Sequence, residues 1–342
     1  MNSKNASAAA RDIFAKAGPV VALIIMCVIL SVANKNFLTS ANLLNVSRQM
    51  TINGFLSLGM MVCILTAGID LSVGFTMTLS SVVMAICAVK LGWNPYLSLF
   101  IGVVTGMFLG LVNGLLLTKC KLPHPFISTM ATQNIYKGIA LVATGATPIA
   151  SIPPAIKWAG ANFVSSDPST FLGKVPVCFV MMIVAYLAFS IFLNYTILGR
   201  HIYAVGGNMS AARLSGVNVD YVRTMVYVIS GFTAAIGGII LTGRTNAAYP
   251  LSGMLMENDA IAAVIIGGTS FFGGKGNTLG TFSGVVLITV LRNGLNLLNV
   301  TSDLQTIVIG AVILIAVFID VVRSGGFAKV KRLAKEFAKE IE

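Results

Sequence analysis

Charged residues are scarce in this sequence. Only 10% of its 342 residues are Asp, Glu, Lys or Arg, whereas 56% are hydrophobic, and the mean hydropathy is +0.89. Soluble domains carry about 25% charged and roughly 45–50% apolar residues, so a soluble core cannot bury this excess. No hydrophilic stretch is long enough to fold alone. The composition therefore excludes a soluble protein and predicts a single transmembrane domain over residues 1–342.

The residues of a metal centre or a disulfide framework are also lacking. The five cysteines are odd in number and form no C-x-x-C pair. Most of them lie within apolar runs, where a free cysteine behaves as a small hydrophobic residue. His124 and His201 are the only histidines. We therefore expect neither a metal site nor disulfides.

A nucleotide-binding loop is missing as well. Residues 267–276, GGTSFFGGKG, are rich in glycine and include Lys275. A P-loop needs glycine six residues before its lysine and Ser or Thr after it, but Thr269 and Gly276 occupy those positions. We expect no cofactor in this chain and interpret the glycines as a tight connection between two membrane segments.

Long apolar runs stand in place of these features. A membrane-spanning helix needs about 20 mostly apolar residues. A shorter run, 259–272, is either a tenth span completed by its neighbours or a broken helix. The sequence predicts an all-α, polytopic membrane protein with about ten transmembrane helices in a membrane core, 17–322. The nine clear runs are 18–33, 50–66, 71–89, 95–118, 125–144, 175–193, 221–242, 278–298 and 304–322.

The basic residues indicate the orientation of these spans. With both termini inside, 15 of the 23 Lys and Arg residues fall in cytoplasmic segments and 8 elsewhere. The positive-inside rule then favours an N-in/C-in topology and explains the net charge of +12 without nucleic-acid binding. Residues 323–342 are predicted to form a basic, amphipathic cytoplasmic tail on the lipid surface.

Glycines recur every fourth residue in the fourth span, at Gly102, Gly106, Gly110 and Gly114. This spacing places them on one face of a helix. In a membrane such a stripe allows two helix backbones to approach closely. We predict a helix-packing surface.

Polar residues within or between the spans are candidates for a translocation path. Charge at membrane depth is costly and often functional. Asp70 is also placed to cap the third span, and the acids of MENDAIAA also suit the first turn of a helix. Amides in spans either line a path or join helices by hydrogen bonds. The candidates are Asp70, Asn113, Asn134, Glu257, Asp259 and Asn293.

Two loops stand out by length. In the predicted cytoplasmic loop 196–220, Asn208 or Ser210 can begin a short helix and Gly216 can end it in a left-handed conformation. This loop is either a topology anchor or a helix presented to a cytosolic partner. The external segment 145–174 is predicted to carry a short helix near Pro154. That segment either covers the ends of the spans or docks a soluble partner.

Four motifs in the same order resemble the ribose, allose and galactose permeases of bacterial ATP-binding cassette (ABC) importers. They are LTAGIDLSVG at 65–74, LPHPFISTMAT at 122–132, LGRHIYAVGGNMSAARLSGVNV at 198–219 and ENDAIAAVIIGGTSFFGGKGN at 257–277. With LRNGLNLLNV at 291–300, the resemblance covers residues 36–322.

The resemblance implies a permease subunit in the bacterial inner membrane that imports a monosaccharide. Its partners would be a cytosolic ABC ATPase subunit that binds the ATP, an extracytoplasmic sugar-binding protein and a second permease subunit, with a homodimer favoured over pairing with a sibling chain. The loop 196–220 would couple the permease to the ATPase. The residues carried over for that role are Gly206, Gly207, Asn208, Ala211, Ala212, Arg213 and Gly216.

Another class of transporter fits the same residues. An ion-coupled secondary transporter would use broken helices and Asp70, Glu257 or Asp259 as the coupling site. Dependence on a partner ATPase distinguishes the two mechanisms. An intramembrane enzyme is disfavoured because no nucleophile, base and orienting group can be picked out.

Overall fold

The computed structural model describes residues 21–323 except residues 166, 168, 169 and 171. Most of the predicted tail, 324–342, lies outside the described residues. So do Lys4, Arg11 and Lys16, three of the basic residues counted above as cytoplasmic. Strands β1 (Ile149–Ala150) and β2 (Ala247–Ala248) pair antiparallel. The helices are α1 (Val21–Ala33), α2 (Ser40–Leu65), α3 (Val73–Ala85, continued by the π-helical turn Ile86–Lys90), α4 (Pro95–Thr118), α5 (Pro125–Thr144), α6 (Pro154–Ala161), α7 (Val177–Tyr195), α8 (Ile197–Gly207), α9 (Met209–Leu214), α10 (Val219–Thr245), α11 (Met256–Ile266), α12 (Thr278–Leu297) and α13 (Ser302–Arg323).

Seven helices of the described chain are long and apolar enough to cross a membrane: α2, α3 with its π-helical turn, α4, α7, α10, α12 and α13. The chain is a multi-pass membrane protein. Helix α5 has 20 residues but includes Gln133, Asn134 and Lys137, and α11 has only 11 residues. The helical membrane architecture is confirmed, and the number of about ten spans stays a prediction.

Helix α2 begins ten residues earlier than the apolar run predicts, at Ser40 instead of residue 50. Polar residues interrupt the hydropathy of its first turns but find partners in the fold. Asn45 accepts a hydrogen bond from Arg244 of α10 (2.8 Å), and the Arg48 guanidinium lies 4.7 Å from the ring centre of Phe163. These tertiary contacts extend the helix beyond the run that hydropathy detects.

Helices α2 and α10 form the centre of the bundle. Most of α2 is buried, and α10 packs against α2, α3, α4 and α6. Helix α13 is mostly exposed, with large apolar side chains such as Ile307 and Leu314 on its surface. An exposed apolar helix of this kind needs lipid or another protein around it.

The glycine stripe of α4 lies where this helix meets its neighbours. A Cβ at Gly106 would lie 2.6 Å from the Cβ of Ala235, and one at Gly114 would lie 2.8 Å from the Cα of Thr224. Real Cβ atoms essentially never approach so closely, so glycine sets the distance between α4 and α10. In order along α4, the four glycines face Met84 of α3 and then Gly231, Tyr227 and Thr224 of α10.

The two ends of the bundle differ. One end, which we call the α6 end, carries α6 and the β1–β2 pair. The opposite end, the α8 end, carries α8, α9 and residues 267–277 between α11 and α12. The predicted short helix near Pro154 is confirmed as α6, which begins at that residue.

Candidate coupling surface and translocation path

Helix α9 begins and ends at signals that the sequence carries. The side-chain oxygen of Asn208 accepts a hydrogen bond from the N–H of Ala211 (2.9 Å), as an N-cap does. Gly216 has a φ angle of +85°, and the N–H of Val217 donates to the carbonyl of Ala212 (3.0 Å). The predicted short helix is confirmed. Its role in coupling stays a prediction.

The surface of α9 combines charge with one large apolar side chain. Leu214 is 90% exposed. Arg213 lies 3.5 Å from Asp220, but this ion pair is solvent-exposed and contributes little stability. We call the exposed residues Ala211, Arg213 and Leu214 the α9 surface. It is anchored by Ala212, which is buried beneath it.

Helix α8 is tied to the glycine-rich connection that follows α11. The Tyr203 hydroxyl donates a hydrogen bond to the carbonyl of Gly276 (2.9 Å). Burial raises the pKa of Tyr203, so the hydroxyl keeps its proton and remains a donor. The backbones of Gly206 and Gly207 both pack against the same connection, but a Cβ at Gly207 would meet no atom of the described residues within 4 Å.

Asp70 lies in the link between α2 and α3 and is only 1% exposed. One carboxylate oxygen accepts from the N–H and the hydroxyl of Ser72 (3.1 and 2.6 Å), and the other from the Ser230 hydroxyl of α10 (2.7 Å). No Lys or Arg of the described chain forms an ion pair with it. Ser72, and not Asp70, occupies the N-cap position of α3. Asp70 joins α3 to α10.

Asn113 extends this buried network to α4. Its amide donates to the Ser72 hydroxyl (2.7 Å), which lies 3.3 Å from the Thr76 hydroxyl. Tyr136 of α5 donates to the Leu109 carbonyl (2.9 Å) and lies 3.5 Å from the Asn113 side-chain oxygen. Asp70 and Asn113 therefore belong to one hydrogen-bonded network, which links α3, α4 and α10. Both are buried, so neither faces an open path in this conformation.

Glu257 lies in the first turn of α11, as predicted, and is 6% exposed. Its Oε1 accepts from the Gln133 amide of α5 (3.2 Å), whereas its Oε2 is buried without a hydrogen-bond partner among the described residues. A Cβ at Gly74, in the first turn of α3, would lie 3.2 Å from that oxygen. The positive end of the α3 dipole favours a carboxylate there. An unpartnered carboxylate oxygen is an acceptor available to a hydroxyl donor.

Asp259 and Asn293 are engaged in contacts between helices. Asp259 accepts two hydrogen bonds from Arg292 of α12 (2.6 and 2.7 Å), a bidentate ion pair. Asn293 exchanges two hydrogen bonds with Asn42 of α2 (2.8 and 2.9 Å). Both residues therefore hold helices together.

Asn134 lies on an exposed face of α5. The neighbouring residue, Gln133, points inward to Glu257. Along the exposed face runs a groove of about 450 Å³. It is lined by Asn134, Ile135, Gly138, Ile139, Val142 and Ala143.

The six candidate path residues are not brought together into one site. Asp70 and Asn113 share a network, and the other four lie in separate contacts. Sequence reasoning missed Ser230, because a serine in an apolar helix carries no sign of its partner. Among the described residues, no group of three or more His, Cys, Asp or Glu side chains is placed to hold a metal ion.

Replacing Arg292 tests the Asp259 ion pair. Arg292→Ala leaves a buried carboxylate unpaired, and we expect it to lower stability by about 2 kcal/mol, less than a fully buried pair because Arg292 is partly exposed. Arg292→Lys keeps the charge but loses the bidentate hydrogen bonding, so we expect a loss of stability smaller than that of Arg292→Ala. Thermal unfolding in detergent measures both. Equal stability of Arg292→Ala and the wild type would contradict the assignment.

Comparison with known proteins gives consistent results over most of the chain. A family model described as "Branched-chain amino acid transport system / permease component" matches residues 42–317. The chain is 44% identical to the ribose import permease protein of Bacillus subtilis over 307 residues, 89% of this chain and 92% of that protein. No solved structure matches significantly.

Two relatives from Escherichia coli K12 carry other sugars in their names. The chain is 38% identical to the D-allose transport system permease protein over 299 residues, 87% of this chain and 88% of that protein. It is 32% identical to the xylose transport system permease protein over 337 residues, 83% and 86% of the two chains.

Proposed function

Because the chain belongs to the family of branched-chain amino acid transport system permease components, we propose that it is the membrane permease subunit of an ABC importer. The observation that carries the proposal is similarity over most of this chain and of its relatives. The chain is then a transport component and not an enzyme. Its relatives are named for ribose, allose and xylose, so we propose a monosaccharide and not an amino acid as the substrate.

The energy for sugar transport would come from ATP hydrolysis in a cytosolic ABC ATPase subunit. The α9 surface supports this role, because a capped helix with an exposed leucine lies at the end of the bundle, where a soluble subunit can reach it. Residues 196–220 would form the coupling loop, with Gly206, Gly207, Asn208, Ala211, Ala212, Arg213 and Gly216 as its functional residues.

The remaining architecture follows from placing the α8 end in the cytoplasm. Ten segments would then cross the bacterial inner membrane, N-in/C-in: α1–α5, α7 and α10–α13, with α11 as the inner half of a broken span. Residues 17–322 would form the membrane core and residues 323–342 a basic cytoplasmic tail. An extracytoplasmic sugar-binding protein would dock at the α6 end.

A second permease subunit would pack against this one. The exposed face of α5 is where we place the second subunit. Its groove contains an amide, Asn134, between apolar side chains, and a partner packed over this groove would enclose a path for the sugar. Sugar hydroxyls need uncharged donors and acceptors of this type. Alternating access would bring Asn134 and Glu257 into contact with the passing sugar.

Reconstitution in liposomes tests the proposed function. The vesicles hold this chain and its candidate ATPase, with binding protein loaded with ribose, allose or galactose outside. We expect one loaded sugar to stimulate ATP hydrolysis and to accumulate inside. Sugar entry on a proton or sodium gradient without the ATPase would instead establish the secondary transporter. The mass of the purified complex distinguishes two copies of this chain from a pair with a sibling.

A further inference from the structure

The connection between α11 and α12, residues 267–277, is bound by three other helices at the α8 end. The N–H of Gly274 donates to the carbonyl of Leu65, the last residue of α2 (2.9 Å). The N–H of Phe271 donates to the carboxylate of Asp320 in α13 (2.9 Å). Tyr203 of α8 bonds the carbonyl of Gly276 from a third side. We call residues 267–277 the glycine joint.

Gly206 of α8 is packed against this joint without space for a side chain. A Cβ at Gly206 would overlap the Leu65 carbonyl oxygen and would lie 2.6 Å from the N–H nitrogen of Gly274. A Cβ at Gly273 would lie 2.9 Å from the Gly206 carbonyl oxygen. Backbone therefore meets backbone from both sides, and such a contact transmits displacement because neither side can yield by turning a side chain.

The glycine joint connects directly to the candidate path. Helix α11 runs from Met256 to Ile266, immediately before the joint, and Gly267 packs against Gly280 at the start of α12. The first turn of α11 holds Glu257, which contacts Gln133 of α5. A helix of 11 residues moves as one rigid element, so a shift at the joint moves Glu257.

We propose that the contact of Gly206 with the glycine joint transmits movement of α8 and α9 to α11, and that Gly206 and Tyr203 are positioning residues for transport. This inference rests on the proposed function. ATP binding and hydrolysis in the partner would move α9, and the joint would convert that movement into displacement of Glu257 at the path.

Gly206→Ala tests the contact in the reconstituted importer. We expect the folded fraction of this variant to retain the ATPase subunit within twofold of the wild type, because the α9 surface keeps all its side chains. We expect uptake per ATP hydrolysed to fall about tenfold. Gly310→Ala is the matched control, since a Cβ there meets nothing within 4 Å in the described part of the chain, and its uptake per ATP should equal the wild-type ratio.

Tyr203→Phe provides a second variant in case Gly206→Ala does not fold. It removes the α8 hydroxyl that bonds Gly276 of the glycine joint and adds no atom, and we expect uptake per ATP to fall about threefold. If Tyr203→Phe, and Gly206→Ala where it folds, took up as much sugar per ATP hydrolysed as the wild type, the transmission role would be overturned. The proposed function as an importer would not be affected. Wild-type uptake that needs no ATPase would reject the proposed function itself, and this inference with it.

Discussion

Gly110→Leu is expected to leave little folded protein in the membrane. A Cβ at this position would overlap the Tyr227 carbonyl oxygen and would lie 3.2 Å from the Cα of Val228, and leucine adds three further carbons. Overpacking typically costs about 1–3 kcal/mol and occasionally more, and here the obstacle is backbone that cannot change rotamer. We expect the folded yield in detergent to fall about tenfold.

The reason for so large an effect lies beyond the α4–α10 contact. The Tyr227 hydroxyl donates to the carbonyl of Ile69 (3.3 Å), the residue before Asp70. Separating α4 from α10 would therefore also distort the buried hydrogen bonds of Asp70 and Asn113, which join α3, α4 and α10. Gly106→Leu acts on the same interface and should behave alike.

Gly310→Leu is the matched control for Gly110→Leu. It introduces the same side chain into a helix at a position where a Cβ meets no atom of residues 21–323, as far as these are described, within 4 Å. We expect a yield close to that of the wild type. If Gly110→Leu and Gly310→Leu gave equal yields, the glycine stripe would not determine how α4 packs.

Leu214→Asp is expected to abolish sugar uptake while the protein still inserts and folds. Leu214 is 90% exposed, so replacing it removes little packing within the chain. Covering a leucine at an interface contributes about 1.5–3 kcal/mol, which corresponds to a ten- to hundredfold change in affinity. An aspartate there would also lose hydration in the complex.

The measurement is co-purification of the ATPase subunit together with ATP-dependent uptake. We expect Leu214→Asp to lose both by at least about tenfold and Leu214→Met to retain both, since methionine keeps the apolar volume. Uptake by Leu214→Asp at the wild-type level would show that the α9 surface is not the site where the ATPase binds.

Local signals made part of this structure predictable. Asn208 and Gly216 act on their own neighbours along the chain, so the bounds of α9 can be inferred from residue types alone. The α4 stripe was predictable because its four-residue spacing is close to one turn of an α-helix, about 3.6 residues. In the same way, the acids of MENDAIAA indicated the first turn of α11.

The rest depends on which helix faces meet, and no local pattern encodes that. The Asp70 network needs Ser230, which lies 160 residues away. The early start of α2 depends on partners such as Arg244. Gly206 was predicted for the coupling loop, but its contact with Leu65 and Gly274 follows only from the arrangement of α2, α8 and residues 267–277.

The reciprocal bonds between Asn42 and Asn293 bear on how the protein is made. The two asparagines are 251 residues apart, and a ribosome adding about 5–20 residues per second needs about 10–50 seconds to synthesise that length. During this interval α2 is already made, and the Asn42 amide can donate to the nearby Phe37 carbonyl (2.8 Å), but the Asn42 side-chain oxygen has not yet met its donor, the Asn293 amide. A polar group without a partner in hydrocarbon is costly. We therefore expect the first turn of α2 to stay beside water or a transient neighbour until α12 is made.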